Sequence, residues 1–242
     1  AYIDHPAFGA AVIGRLLEAE GYRVAIVPQP NWRDDLRDFT KLGVPRLFFG
    51  VTAGAMDSMV NHYTANLRLR HDDAYTPSGK AGFRPDRAVT VYTQILKRLF
   101  PHVPVVIGGI EASLRRLTHY DYWSDSLHPS VLVSSGADLL IYGMGEGVIQ
   151  EVAQAMRNGY NAKLLRKIRQ VAFLADRAYV ERLDPSTTIR LHSFERCQSD
   201  KRAFGENFVH IETQSNLMQP DATLVEEVGD RFVVVTPPHA TL

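Results

Sequence analysis

The sequence predicts an α/β fold, a Rossmann-like open and mostly parallel sheet with flanking helices. Three observations lead there. Segments with apolar residues at helical spacing alternate with short runs rich in β-branched residues over the first 160 positions. The run at 46–51 is nearly continuously apolar, the pattern of a strand in a sheet covered on both faces. Turn residues gather directly after strand ends, as Gly108-Gly109 and Gly143-Met144-Gly145-Glu146-Gly147 do, which is where parallel sheets place their loops.

Taken in order, Val12, Leu16 and Ala19 with Ile13 and Leu17 predict a helix over 8–20, closed by Gly21. A strand over 22–27 is stopped by Pro28 and Pro30. A short helix over 34–42 precedes the strand at 46–51, and a helix over 55–63 follows it. Residues 64–87 have no clear period; a connection of that length is usually functional or mobile. A helix over 88–99, the strand 103–107, a second irregular stretch, the strand 138–142 and a helix over 148–157 complete this part.

After Asn161 the character changes. A basic helix (Lys163, Arg166, Lys167, Arg169) leads to short strands around 178–180 and 188–191, a helix over 200–213 and a strand at 231–235. The chain therefore divides into a Rossmann-like domain at 1–160, its first strand expected upstream, and a small α+β extension at 161–242. An opening without Met and a Pro-rich close at 236–238 read as a piece of something longer.

Composition narrows the function. Apolar residues at 45% and charged residues at 22% are ordinary globular usage, which argues against disorder. Lys plus Arg and Asp plus Glu both number 27, so no global field draws the chain to nucleic acid or an anionic membrane. No apolar run nears the ~20 residues of a membrane span. With the single cysteine, Cys197, a reducing cytoplasmic setting is the expectation, and neither a disulfide framework nor an all-cysteine metal site can come from this chain alone.

Two polar connections hold the candidate chemistry. In the first, Arg70, His71, Asp72, Asp73 and Tyr75 lie in a stretch that continues to Arg87. Basic residues interleaved with aromatics can track phosphates and stack bases, but the aspartates dilute the charge, and a solvated loop accounts for it as well. His71-Asp72-Asp73 is a weak metal signal, since neighbours in a loop rarely aim at one ion. In the second, Glu111, Arg115, Arg116, His119, Asp121 and Asp125 surround Tyr120-Asp121-Tyr122-Trp123. These groups could form an acid–base or anion-binding site; buried ion pairs pinning an irregular connection is the alternative. Gly108 and Gly109 could let backbone N–H groups approach a cofactor, or could serve only a tight turn. Gly143 and Gly145 stand in a turn one residue short of the dinucleotide fingerprint.

Several long stretches together resemble one family. Asp4-His5-Pro6-Ala7-Phe8-Gly9, Pro45 through Gly54, Met56 through Asn61, Arg70 through Pro77, Gly108 through Arg116 and His119 through Asp125 carry the match. They are similar to the N-terminal region of YgiQ-type radical S-adenosylmethionine (SAM) proteins, over nearly the whole chain. The resemblance implies a downstream radical SAM domain as partner, with a Cys-x3-Cys-x2-Cys motif holding a 4Fe-4S cluster that cleaves SAM. It also implies that this region covers the catalytic part and helps shape the site of an unknown substrate. Such regions resemble cobalamin-binding modules, with Gly108, Gly109, Gly143 and Gly145 in the matching turns. The spacing of Asp4, His5 and Gly9 departs from the Asp-x-His-x-x-Gly pattern of base-off cobalamin binding. A corrinoid- or nucleotide-binding module and, behind it, an RNA-binding module are the competing expectations.

Overall fold

The computed structural model describes residues 9–159 and 162–239. Asp4, His5, the start of the predicted first helix and the Lys163 side chain lie outside the described residues. Eleven α-helices and nine strands are present among them. In the first part these are α1 (Gly9–Ala19), α2 (Arg37–Thr40), β1 (Phe49–Val51), α3 (Ser58–His62), α4 (Ala88–Leu99), β2 (Val105–Ile107), α5 (Gly109–Leu114), β3 (His119–Asp121), β4 (Ser126–His128), α6 (Val131–Ser135), β5 (Leu139–Ile141) and α7 (Glu146–Arg157). The extension supplies α8 (Ala162–Leu165), β6 (Val171–Ala175), α9 (Arg177–Val180), β7 (Thr188–Arg190), α10 (Phe194–Ser199), α11 (Lys201–Ser215), β8 (Thr223–Val228) and β9 (Arg231–Val235).

Seven strands form one open sheet in the order β1-β2-β5-β6-β9-β8-β7, so the expected α/β class holds. The Rossmann-like part is the parallel run β1-β2-β5, with Phe49 beside Val105 and Val106 beside Leu139. The extension continues the same sheet through antiparallel β6, β9 and β8, closed by the parallel pair β8–β7. Side chains alternate between the faces, as the two-residue period of a strand requires. Val105, Ile107, Leu140, Val233 and Val235 face a layer that includes Val89, Tyr92 and Leu96 of α4 and Leu132 of α6. Val106, Leu139, Ile141, Phe173 and Val234 face Leu17 of α1, Val148 and Val152 of α7 and Val180 of α9. Both layers mix residues from before and after position 160.

Several elements differ from the sequence expectation. Residues 22–27 run extended along α1, with Ile26 3.3 Å from where a Cβ on Gly14 would sit, but no described strand pairs with them. The helix expected over 34–42 shrinks to α2. The Asp34 and Asp35 carboxylates accept from the backbone N–H of Leu36 and Arg37, a local alternative to helical bonding that leaves Leu36 at φ 59°. α3 starts at Ser58 rather than residue 55 because Asp57 caps it, accepting from Met59 and Val60 N–H. Likewise the strand expected at 178–180 is α9, capped by Asp176 accepting from Tyr179 N–H at 2.8 Å. The basic helix is ordered as α8 only as far as Leu165, and turns follow. The second irregular stretch contains α5, the β3–β4 hairpin and α6, and the extension adds β6, α10 and β8.

Gly109 shows how tightly the β2 end is built. Its φ is +82°, and a Cβ there would lie 2.5 Å from Thr52 Oγ1 at the end of β1. Gly205, inside α11, has nothing within 4 Å. Gly109→Ala is expected to destabilise the 242-residue chain by at least ~2 kcal/mol, whereas Gly205→Ala should stabilise it by about 0.5–1 kcal/mol. Urea midpoints of the two variants check both signs.

Candidate functional site

β1, β2 and β5 run in the same direction, so the segments after Val51, Ile107 and Ile141 all emerge at one edge of the sheet. That edge is where open α/β sheets bind ligands. The two polar connections leave from the neighbouring ends of β1 and β2, and they are clasped together. Tyr122 Oη donates to the Ala65 carbonyl at 2.7 Å, and the Tyr63 and Trp123 rings lie 6.5 Å apart.

Beneath this contact lies a buried charge network. Glu111 of α5 is 1% exposed; one carboxylate oxygen accepts from Ser58 N–H at 2.8 Å and the other from Val89 N–H at 2.9 Å. It thus sits at the first turns of α3 and α4 together, where unpaired N–H groups and the helix dipoles favour an anion. Ser58 Oγ accepts from Ala88 N–H, linking the same two helices again. Asp57 is ion-paired with Arg115. Burial opposes the Arg115 charge, but Asp57, with Glu111 and Asp121 in support, outweighs it and raises the guanidinium pKa. Asp121 accepts from Arg87 at 2.8 Å and from Ser124 N–H at 2.9 Å. Burial works against its ionisation, yet the Ser124 hydrogen bonds and Arg87 together lower its pKa.

A second buried pair closes the first connection. Arg84 bonds both oxygens of Asp73, reaches the Ala53 carbonyl at 3.3 Å, and lies 5.5 Å from the Tyr75 ring centroid. His62 stands beside this pair: its Nδ1 is 2.7 Å from Asp86 Oδ1 and its Nε2 is 4.0 Å from Asp73 Oδ2.

The sequence candidates therefore separate by depth. Asp73, Tyr75, Glu111, Arg115 and Asp121 are buried, and the four charged groups among them are paired inside the fold. Arg116 points away from this cluster, donating to the Ser113 carbonyl and lying over the Tyr142 ring, and burial lowers its pKa. His119 is held by burial at a pKa of about 4, with Nδ1 against the Leu117 carbonyl, so it is neutral at pH 7. Arg70, His71, Asp72 and Asp125 are exposed around the rim. Arg70 Nε donates to the Tyr63 carbonyl, and Asp125 accepts from Tyr120 Oη at 2.7 Å.

The turn glycines have local structural duties. A Cβ on Gly108 would meet the Ile141 carbonyl at 3.3 Å and one on Gly145 would meet Ile141 Cγ2 at 3.0 Å. Gly143, at φ +66°, donates its N–H to Ser113 Oγ. Gln170 Nε2 donates to the carbonyls of Tyr142 and Met144 and fixes that turn from the extension.

Sequence reasoning missed Asp57, Ser58, Asp86, Gln170 and Glu226. Asp57-Ser58 before an apolar run was a readable helix start. Glu226, inside the apolar strand β8, was the other signal. It is 1% exposed and accepts from Thr118 N–H at 2.9 Å, tying the extension to the second connection. Burial pushes its carboxyl up to about 7.

Two predictions follow from this network. Glu111→Gln replaces one of two acceptor oxygens with a donor facing a backbone N–H, so it should destabilise the chain by about 1–3 kcal/mol in urea unfolding. Glu226 has a folded pKa above its unfolded value, so the folded state binds more protons between pH 4.5 and 7. Its contribution is fully present below pH 4.5 and is lost as pH rises through 7. Glu226→Gln keeps the acceptor for Thr118 without the charge, and should stabilise the chain at pH 8 by an amount on the order of 3 kcal/mol, with little change at pH 4.5. Urea titrations at the two pH values check this.

No group of three His, Cys, Asp or Glu side chains among the described residues could hold a metal ion. Iron–sulfur clusters are held by several cysteine thiolates. The one cysteine here, Cys197, is buried, accepts from Asn207 Nδ2 at 3.3 Å, and has its thiol pushed up to about 11 by burial, so these residues do not fit a cluster. Among the described residues no helix is long and apolar enough to cross a membrane.

Comparison with known proteins agrees with the motifs. A family described as radical SAM N-terminal matches residues 1–242. A UPF0313 protein of Porphyromonas gingivalis is 61% identical over 238 residues, covering 98% of this chain and 37% of that protein. One from Bacteroides thetaiotaomicron is 56% identical, covering 99% and 40%, and one from Rhodopseudomonas palustris is 46% identical, covering 100% and 38%. The chain thus spans 37–40% of the length of these relatives. No solved structure matches. The chain belongs to the radical SAM N-terminal family and corresponds to the N-terminal part of a larger protein of the UPF0313 group.

Proposed function

We propose that this chain is the accessory domain of a radical SAM enzyme, covering the downstream catalytic part and shaping its substrate site. The 4Fe-4S cluster and SAM belong to that downstream part. The observation that carries the reading is the contrast at the strand-end edge. The charges under the connections are buried and paired, while α5 and the turn after β5 beside them expose apolar side chains. Ile110 and Leu114, four residues apart on one face of α5, are 45% and 59% exposed, and Met144 in the turn after β5 is 81% exposed. The Ser113 to Gly143 hydrogen bond places that turn against α5. Exposed apolar groups gathered at one place commonly mark an interaction site. The occupant proposed is the remainder of the same polypeptide, since most of the relatives' length lies outside this chain.

On this reading the buried residues do not touch substrate. Glu111, Arg115, Asp121 and Asp73 set the shape of the edge, while Arg70, His71, Asp72 and Asp125 on the rim are the groups available to a substrate. Their mixed charge suits a polar substrate bearing both donors and acceptors.

The test uses the full-length protein with its cluster reconstituted. Ile110→Glu combined with Leu114→Glu lies on an exposed face and should change the stability of this domain by no more than ~0.5 kcal/mol. It is expected to speed proteolytic separation of the domain from the rest at least several-fold and to alter deoxyadenosine formation from SAM. Wild-type rates for both would overturn the proposal.

A further inference from the structure

A cleft of about 290 Å³ opens in the extension, on the sheet face that carries α1 and α7. Its walls are the turns between α8 and β6, which bring Arg166, Lys167 and Arg169, and the segment from α9 to β7, which brings Tyr179 and Thr187; Thr223 stands at the start of β8. Three cations therefore meet in one cleft. Asp221 is the lining carboxylate, and it is ion-paired with Arg169 at 3.2 Å. Arg169 is further committed to the carbonyls of Pro238 and Pro220. Arg166 and Lys167 have no carboxylate partner among the described residues.

Arg166 is held in place without being neutralised. Its guanidinium lies 5.3 Å from the Phe173 ring centroid and 5.0 Å from that of Tyr179, and Nη2 donates to the Leu174 carbonyl at 3.3 Å. Such stacking fixes the planar group, so little rotamer freedom remains to be lost on binding. Tyr179 is partly desolvated, and burial raises its pKa against the opposing effect of Arg166 and Arg182, so its hydroxyl stays protonated and able to donate. A pre-positioned guanidinium, an exposed ammonium and nearby hydroxyls form a donor set for an oxyanion.

We infer that this cleft binds the phosphoryl group of a small molecule. A phosphate dianion matches the two uncompensated cations, whereas a carboxylate would match one. The volume of about 290 Å³ lies just below the ~300 Å³ at which ligand pockets begin, so it takes a phosphate with a compact attached group rather than a whole dinucleotide. The cleft shares no lining residue with the exposed apolar face of Ile110, Leu114 and Met144.

Pyrophosphate is the probe, titrated calorimetrically into the full-length protein at low ionic strength. Lys167 is exposed, so Lys167→Glu should leave folding intact, and it is expected to weaken pyrophosphate binding at least tenfold. Arg202→Glu on α11, whose side chain is 88% exposed, reverses a charge away from the cleft and should bind as wild type does. Arg166→Gln should also weaken binding, and Lys167→Glu decides the question if the loss of ring stacking unfolds that variant. Absence of saturable binding, wild-type affinity in Lys167→Glu, or equal losses in Lys167→Glu and Arg202→Glu would each overturn the inference.

Discussion

The strand-end edge of this domain depends on one carboxylate. Glu111 is removed from water and accepts one N–H from the first turn of α3 and one from that of α4. A buried carboxylate is costly unless every lone pair is answered, and here two helix termini answer it while having their own unpaired donors answered in return. Because the two N–H groups belong to different helices and the carboxylate to a third, a single interaction sets the relative position of α3, α4 and α5. The connections that hang from those helices inherit that position.

The charges around Glu111 extend the same logic. Asp57 caps α3 with one oxygen and meets Arg115 with the other, so the cap and the ion pair are one object. Arg87, which precedes α4, reaches Asp121 at the end of β3. Losing one partner from such a buried pair leaves the other uncompensated, at about 3–5 kcal/mol. These pairs therefore hold irregular backbone in one arrangement where no sheet or long helix does so. That rigidity is what the proposed seating of a second domain on this edge would require.

Glu226 draws the extension into this scheme. Its strand lies three places from β5 in the sheet, yet its side chain holds Thr118, at the foot of the hairpin. Gln170 does similar work at the turn after β5. The antiparallel strands thus complete the sheet and also fasten the two segments that line its functional edge.

Much of this was legible in the residues. α4, α7 and β9 have dense apolar patterning and lie close to where it places them. The family was readable from long motifs, and one cysteine was enough to show that this chain alone cannot supply the thiolates of a cluster. The elements that escaped have physical reasons: the Glu226-Glu227 pair hides β8, the aspartates near α2 favour turns over helix, and the hairpin is held by side chains rather than by propensity. The candidate site was legible by residue type but not by depth. Glu111 and Asp125 look alike in a sequence, and one is sealed inside the fold while the other stands in solvent. The partners of Glu111 lie 53 and 22 residues away, so its role exists only once β1 and β2 have paired and brought their connections together. The sequence by itself determined the long periodic elements, the family and the polar segments; burial, and with it the division between structural and available charge, was decided by the tertiary structure, because desolvation belongs to the packed state and to no residue alone.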